Sequence, residues 1–157
     1  MQSHRFRKVF IPLSYAAVAY CSIEFPTNLA YTVPRELALA AGATLFALTI
    51  VGAARIHSMF PKRRHDRPED FDKLLTTGPY ALCRHPFYLM LILNQLSIPV
   101  MFASIAGVAT WAALLAGWLY LIRIEESELV AYWGDEYLRY AERVPMLIPI
   151  PRRRKKS

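Results

Sequence analysis

Long apolar blocks separated by short basic segments dominate the chain. The blocks cover residues 9–31, 37–56, 86–103 and 105–124. About 20 apolar residues are enough to cross a bilayer as a helix. The last two blocks together are too long for one crossing, and the proline, serine and glycine in "PVMFASIAG" (99–107) favour a reversal between them. The pattern therefore predicts four transmembrane helices, of which the last two form a hairpin. The second block is rich in alanine and glycine, which predicts a closely packed, central helix.

The segments between and after these blocks are polar. Residues 57–85 predict a loop, and residues 125–157 predict a tail in two parts. In the first part, one leucine and four aromatic residues fall roughly on one helical side: Leu129, Tyr132, Trp133, Tyr137 and Tyr140. This pattern predicts an amphipathic helix at the membrane interface. The second part contains "VPMLIPIP" (144–151), whose three prolines exclude a regular helix and predict an extended strap. The expected fold is all-α, an integral membrane protein with a single domain over 1–157.

The charge pattern predicts the orientation. The net charge is +7, and the basic groups fall at 5–8, 62–67 and 152–156. Because Lys and Arg accumulate on the cytoplasmic side, four crossings place both termini and the 57–85 loop in the cytoplasm. The basic residues flank the apolar blocks and do not line one face of a soluble fold, which disfavours nucleic acid as a partner. Two isolated cysteines, Cys21 and Cys83, form no zinc or disulfide pattern.

Chemistry-bearing residues cluster at the two ends of the predicted hairpin. "GPYALCRHPFY" (78–88) precedes its first helix, and "IRIEESE" (122–128) ends its second. Antiparallel helices pack about 8–10 Å apart, so Arg84 and His85 are expected near Glu125 and Glu126. Taken singly, these residues fit a membrane anchor and its ion-pair partners. Their combination with a glycine–proline turn and an aromatic residue favours a ligand site.

"GPYALCRHPFY" followed by "EESELVAYWGDEYLRYAERVPMLIP" resembles the isoprenylcysteine carboxyl methyltransferase and phospholipid methyltransferase group of membrane enzymes. The resemblance covers about Leu74 to Pro149. It implies S-adenosylmethionine as cofactor, bound without a Rossmann fold, which is consistent with the absence of a GxGxxG motif. It also implies a pocket at the cytoplasmic ends of the last helices, capped by the C-terminal segment. The residues it implies for cofactor binding are Leu74, Leu75, Tyr80, Arg84, His85, Pro86, Phe87, Tyr88, Glu125 and Glu126.

Within that set, Glu125 is expected to meet a polar end of the cofactor, with Glu126 as the second choice. Arg84 is the nearest cation for the cofactor's own carboxylate. Methyl transfer is an in-line displacement that depends on positioning, so no catalytic residue is assigned. His85 could act as a base for an amine acceptor, although a binding role is expected.

Three positions depart from the family pattern. Met90 stands where the family has glycine, which predicts a narrower space beside Tyr88, and Met146 replaces a residue that is usually basic. Leu121 lies near the place of an arginine that meets substrate in eukaryotic carboxyl methyltransferases, and Arg123 is only its neighbour. The sequence therefore does not support carboxyl methylation of a prenylated cysteine.

Candidates for acceptor binding are Asn94, Gln95 and Arg123. Amides deep in an apolar helix are costly unless they are paired or face a cavity, so Asn94 and Gln95 indicate either an acceptor site or hydrogen bonds between helices.

The predicted function is methyl transfer from S-adenosylmethionine to a lipid or other membrane-dissolved acceptor. The expected partners are this acceptor and the lipid bilayer. No metal, nucleic acid or obligate protein partner is expected. Two alternatives remain open: an NADPH-dependent membrane reductase of sterol-like or enoyl lipids, and a non-catalytic scaffold that binds anionic lipids through its basic face.

Overall fold

The computed structural model describes residues 2–25, 33–59 and 73–149. These residues form six α-helices and no strand. The helices are α1 (Gln2–Glu24), α2 (Arg35–Ser58), α3 (Pro79–Leu82), α4 (Pro86–Met101), α5 (Ile105–Trp133) and α6 (Asp135–Arg143). The all-helical fold class is confirmed for this part of the chain. Predictions for residues 26–32, 60–72 and 150–157 lie outside the described residues.

Two of the described helices, α2 and α5, are long and apolar enough to cross a membrane. Helix α4 is apolar but has only 16 residues, which at 1.5 Å per residue gives about 24 Å. The hydrocarbon core of a bilayer is about 30 Å thick. Helix α1 carries the basic segment 4–8 within its first two turns. The predicted total of four crossings therefore remains a prediction.

Two helix boundaries differ from those predicted. Helix α1 begins at Gln2, seven positions before the predicted start at Val9, so the basic segment is helical. Helix α5 does not end at residue 124 but continues to Trp133, because "EESELVAYW" contains no glycine or proline to interrupt it. Gly134 then ends the helix with φ +54° and ψ −130°, a conformation open to glycine and strained for other residues. The predicted interfacial helix is consequently split between α5 and α6.

The reversal between α4 and α5 occupies 102–104, as the sequence predicted. Phe102 ends α4, and Ala103 has a positive φ of 45°. The Ser104 hydroxyl accepts a hydrogen bond from the Gly107 N–H and caps α5. Helices α4 and α5 therefore form the expected hairpin.

Helix α4 is the centre of the bundle, with α2 packed against it on one side and α1 and α5 on the others. The core joins α4 to α5 and consists of Tyr88, Ile92, Trp118, Leu121 and Ile122. The prediction that α2 is central was wrong: it packs chiefly on α4 and leaves Leu37, Leu48 and Val51 exposed. Gly42 and Gly52 of α2 permit its close contact with α4, at Met101 and Met90.

Met90 lies in this α2–α4 contact. A Cβ atom placed on Gly52 would come within 2.7 Å of the Met90 Sδ, so the glycine makes room for the methionine. Tyr88 faces another way, with its ring centroid 6.0 Å from that of Trp118 on α5. Met90 therefore fills the interface with α2, rather than narrowing the space beside Tyr88 as the sequence suggested.

Candidate active site

The segment before α4 is shaped by a glycine and two prolines. Gly78 has φ +60° and ψ −131°, again a backbone conformation that favours glycine. Pro79 and Pro86 each occupy the first turn of a helix, where a missing N–H costs nothing. Between these two helices the chain is extended, so the backbone N–H groups of Arg84 and His85 are not used within a helix.

The C-terminal segment 144–149 uses those two N–H groups. Arg84 N–H donates to the Pro145 carbonyl at 2.9 Å, and His85 N–H donates to the Met146 carbonyl at 3.1 Å. Met146 and Leu147 pack against the core. The described part of the predicted strap is thus non-helical and lies against residues 84 and 85.

Arg84 joins three parts of the chain. Its Nε and Nη2 atoms both lie 2.6 Å from Glu126 Oε1. Its Nη1 donates to the carbonyls of Ala141 and Val144, at 2.8 and 2.9 Å, where α6 ends and leaves carbonyls without helical partners. The guanidinium is therefore engaged by protein acceptors on every nitrogen. This geometry is that of a clamp on α6 and does not favour the expected contact with a cofactor carboxylate.

Glu126 is the common acceptor of this clamp. Its Oε1 also receives hydrogen bonds from Tyr137 OH at 3.2 Å and lies 3.3 Å from His85 Nε2. Burial alone would raise the pKa of Glu126, but the hydrogen bonds and charges of His85 and Arg84 outweigh it and lower the pKa to about 2. Burial, and then the charge of Glu126, raise the pKa of Tyr137, which keeps its phenol a neutral donor. We refer to Arg84, His85, Glu126 and Tyr137 as the Glu126 hub.

Glu125 points elsewhere, because adjacent residues of a helix are rotated by about 100°. Its Oε2 accepts a hydrogen bond from Tyr88 OH at 2.5 Å, and its Oε1 lies 4.0 Å from His85 Nδ1. The Glu125 side chain is 27% exposed, compared with 19% for Glu126 and 3% for His85. His85 thus stands between the two carboxylates, and Glu125 is the more accessible of them.

Helix α1 also reaches this cluster, which the sequence reasoning missed. Arg7 Nη1 lies 3.5 Å from Tyr88 OH, and Arg7 Nη2 lies 3.2 Å from His4 Nδ1. The signal was present as a helical stripe, since Ser3, Arg7, Phe10, Ser14 and Val18 are all buried or half-buried on α1. The segment 4–8 had been interpreted only as a topology signal.

The other residues predicted to bind the cofactor lie in the segment before α3, in α3 and at the start of α4. The Tyr80 carbonyl accepts from Tyr140 OH at 2.6 Å. The Phe87 ring is half-buried, 6.4 Å from the His57 ring. Pro86 is buried at the start of α4, whereas Leu74 and Leu75 are half-buried in the non-helical segment before α3.

The two buried amides of α4 make hydrogen bonds between helices, one of the two alternatives left open for them. Asn94 Nδ2 donates to α2 at 3.0 Å and Asn94 Oδ1 accepts from α1 at 3.1 Å. Gln95 Nε2 donates to α1 at 2.9 Å and Gln95 Oε1 accepts from α5 at 3.0 Å. The four partners are Thr49, Tyr15, Ser14 and Trp118. The third acceptor candidate, Arg123, is exposed on α5.

The described residues contain no group of three or more His, Cys, Asp or Glu side chains that could hold a metal ion. The chemistry available here is that of one accessible carboxylate, an imidazole, a phenol and neighbouring aromatic rings, at the end of apolar helices. This combination suits the binding of an organic cation.

Comparisons with known proteins identify the class. Residues 36–136 match the model of the phospholipid methyltransferase family, and since this is more than half of the chain, the chain belongs to that family. The apolar helices and this membership together indicate a membrane protein. The resemblance stated from the sequence motifs is thereby confirmed.

Three relatives illustrate the match. Methanethiol S-methyltransferase 1 of Bradyrhizobium diazoefficiens is 41% identical over 71 residues, which is 45% of this chain and 24% of that protein. Protein-S-isoprenylcysteine O-methyltransferase B of Arabidopsis thaliana is 30% identical over 111 residues, 69% of this chain and 54% of that protein. The cobalt-zinc-cadmium resistance protein CzcN of Cupriavidus metallidurans is 36% identical over 76 residues, 48% of this chain and 35% of that protein.

The chain thus spans between about a quarter and about half of the length of these relatives. No solved structure matches it.

Proposed function

We propose that this protein transfers a methyl group from S-adenosylmethionine to a lipid or other membrane-dissolved acceptor. The observation that carries the proposal is the Glu125 carboxylate, accessible and held by Tyr88 and His85, in a chain that belongs to a methyltransferase family. Relatives whose names state a methyltransferase activity support the reaction class.

The donor set fits the cofactor. S-adenosylmethionine carries a sulfonium and an ammonium, which carboxylates and aromatic faces attract. Glu125, Tyr88, His85 and Phe87 are the residues that would hold this cationic part. When bound, the cofactor supplies an electrophilic methyl group. Glu126 is less suited to this task, because its carboxylate already serves Arg84, His85 and Tyr137.

The residues of the cluster would then act mainly by positioning. Tyr88 donates to Glu125 and fixes the direction of that carboxylate. His85 is buried between Glu125 and Glu126, which restrains its ring. An amine acceptor would need a group to take its proton, whereas a thiolate or carboxylate acceptor would not. Both ring nitrogens of His85 face carboxylates, which favours a binding role for His85 over that of a base.

The location of the cluster suits an acceptor dissolved in the membrane. It lies at the start of apolar α4 and just beyond the apolar part of α5. The positive-inside rule assigns this end of the hairpin to the cytoplasm, together with both termini, in a four-crossing topology. A water-soluble cofactor and a lipophilic acceptor could then approach the same site from different sides.

The names of the relatives narrow the acceptor classes. They include a methyltransferase of methanethiol and one of isoprenylcysteine, both sulfur compounds. Leu121, which stands near the substrate arginine of eukaryotic carboxyl methyltransferases, is fully buried in the core. This disfavours an anionic acceptor held at that place. The comparisons do not favour the reductase alternative.

The decisive experiment incubates the purified protein with methyl-labelled S-adenosylmethionine and a total lipid extract. The expected result is label in a lipid-soluble product. In parallel, titration calorimetry with S-adenosylhomocysteine should show binding that Glu125→Gln weakens at least tenfold. Glu136→Gln, on the exposed first turn of α6, is the matched control and should bind normally.

Lack of binding by well-folded wild-type protein would overturn the proposal. A thermal shift with NADPH in place of S-adenosylhomocysteine would instead support the reductase. A scaffold would respond to neither ligand.

A further inference from the structure

One basic residue of the N-terminal segment is turned into the protein. Arg5 and Lys8 are exposed, as expected for cations that contact lipid phosphates, but Arg7 is half-buried. Arg7 lies on the inward stripe of α1, between Ser3 and Phe10. Its position is therefore unlike that of its basic neighbours.

The inward position brings the guanidinium to the candidate active site. Arg7 Nη1 donates to Tyr88 OH, and Tyr88 OH donates to Glu125 Oε2. The Tyr88 hydroxyl thus lies between a cation and an anion. The distance from Arg7 Nη1 to Glu125 Oε2 is at most the combined length of these two hydrogen bonds. Side chains from α1, α4 and α5 meet at this point.

Such a pair matches the two charges of an amino-acid zwitterion. The methionyl part of S-adenosylmethionine carries an ammonium and a carboxylate on the same carbon atom. A receptor for it needs an anion and a cation a few ångströms apart. Arg84, the cation that the sequence suggested for the carboxylate, is committed to Glu126 and to the end of α6.

We propose that Arg7 binds the carboxylate of the methyl donor while Glu125 faces the donor's ammonium group. This assignment rests on the proposed function and adds a residue of α1 to the cofactor site. A guanidinium recognises a carboxylate through a planar pair of N–H groups, which gives both charge and geometric fit. Tyr88 holds the two binding groups at a fixed spacing.

The test compares two ligands that differ only in the carboxylate: S-adenosylhomocysteine and its decarboxylated analogue. Wild-type protein should bind S-adenosylhomocysteine about 10- to 100-fold more tightly than the analogue, the range expected for a charge-assisted hydrogen bond. Arg7→Ala should weaken binding of S-adenosylhomocysteine by the same factor and leave the analogue within about twofold. Arg7→Lys, which keeps the charge without the planar fork, should fall between.

Arg5→Ala is the matched control, because Arg5 lies on the same helix but is exposed. It should leave the affinities for both ligands unchanged. Thermal unfolding of each variant in detergent confirms that the compared proteins are folded. The comparison of the two ligands on wild-type protein needs no variant and stands even if Arg7→Ala does not fold.

Several results would overturn the assignment. Equal affinity of wild-type protein for both ligands would mean that the carboxylate is not recognised. Equal weakening of both ligands by Arg7→Ala would mean that Arg7 supports the fold of the site. Equal loss of binding to anionic vesicles in Arg5→Ala and Arg7→Ala, with S-adenosylhomocysteine unaffected, would make Arg7 a lipid anchor. If wild-type protein binds neither nucleoside, the proposed function fails, and this assignment fails with it.

Discussion

Removal of the Arg84 side chain is expected to release the C-terminal part of the protein from the bundle. Arg84→Ala leaves Glu126 without its closest cation and removes one hydrogen-bond donor from the carbonyls of Ala141 and Val144. Removal of one partner of a buried ion pair lowers the free energy of unfolding by about 3–5 kcal/mol. Because His85 still contacts Glu126, we expect the lower end of that range, about 3 kcal/mol.

Arg84→Lys separates charge from geometry. Lysine keeps the positive charge but cannot serve Glu126 and two carbonyls with one ammonium group, so it should recover about half of the lost stability. Arg143→Ala is the matched control, because Arg143 is an exposed arginine in the last turn of α6. Exposed substitutions of this kind usually change stability by less than about 0.5 kcal/mol.

Thermal unfolding in detergent measures the loss of stability, and hydrogen exchange locates it. The amides of Arg84 and His85, which donate to the Pro145 and Met146 carbonyls, should lose protection in Arg84→Ala while the α4–α5 core keeps it. If Arg84→Ala behaves like Arg143→Ala in both measurements, the reasoning that the Glu126 hub holds the C-terminal segment is refuted.

Three further outcomes are expected. The pKa of Glu126 is lowered from 4.5 to about 2, so its ionised form stabilises the fold above pH 4.5, and this contribution is lost as the pH falls toward 2. The stability advantage of wild type over Glu126→Gln should therefore shrink between pH 4.5 and pH 2. A constant difference in unfolding temperature over that range would contradict this prediction. Gly52→Leu should cost about 1–3 kcal/mol by overpacking against Met90, and the added change Met90→Gly should restore part of this loss in thermal unfolding; no rescue would mean that the two do not share the contact. Gln95→Leu removes the acceptor of Trp118 Nε1 and should destabilise by about 1–3 kcal/mol with S-adenosylhomocysteine affinity unchanged; a selective loss of acceptor turnover without destabilisation would restore Gln95 as an acceptor residue.

The helical fold and the meeting of the two motifs could be predicted from spacing alone. Apolar blocks set the helices, and the length of the last two blocks required a hairpin whose ends adjoin. That is enough to bring Arg84 and His85 to the two glutamates, which is the arrangement the structure shows. The resemblance to the family added an expected ligand class, which hydrophobic periodicity cannot supply.

The different roles of Glu125 and Glu126 could not be predicted in this way. They depend on the rotation of α5 about its axis, and a boundary placed at residue 124 left that rotation undefined. Once α5 continues to Trp133, the two carboxylates are fixed on different sides of one helix. Only then does Glu126 pair with Arg84, while Glu125 contacts Tyr88 and His85 and is the carboxylate that we propose for the ligand.

Arg7 and Met90 were missed for a related reason. Each was interpreted by comparison with a rule, the positive-inside rule for Arg7 and a family glycine for Met90. Each has a contact on a distant helix: Tyr88 for Arg7, and Gly52 for Met90. A pairing of this kind follows from the orientation of packed helices, which one sequence does not specify.

The Glu126 hub also has a consequence for the order in which the protein is made. A ribosome delivers Arg84 long before the α6 carbonyls that its Nη1 atom contacts, which lie 57 and 60 residues later. The α4–α5 hairpin is therefore synthesised while this cation lacks its final acceptors. Synthesis proceeds from the N-terminus, so the hydrogen bonds of the Glu126 hub to Tyr137, Ala141 and Val144 can form only after those residues have been added. A nascent chain stopped before Val144 would carry the long helices α1, α2, α4 and α5 without a finished site.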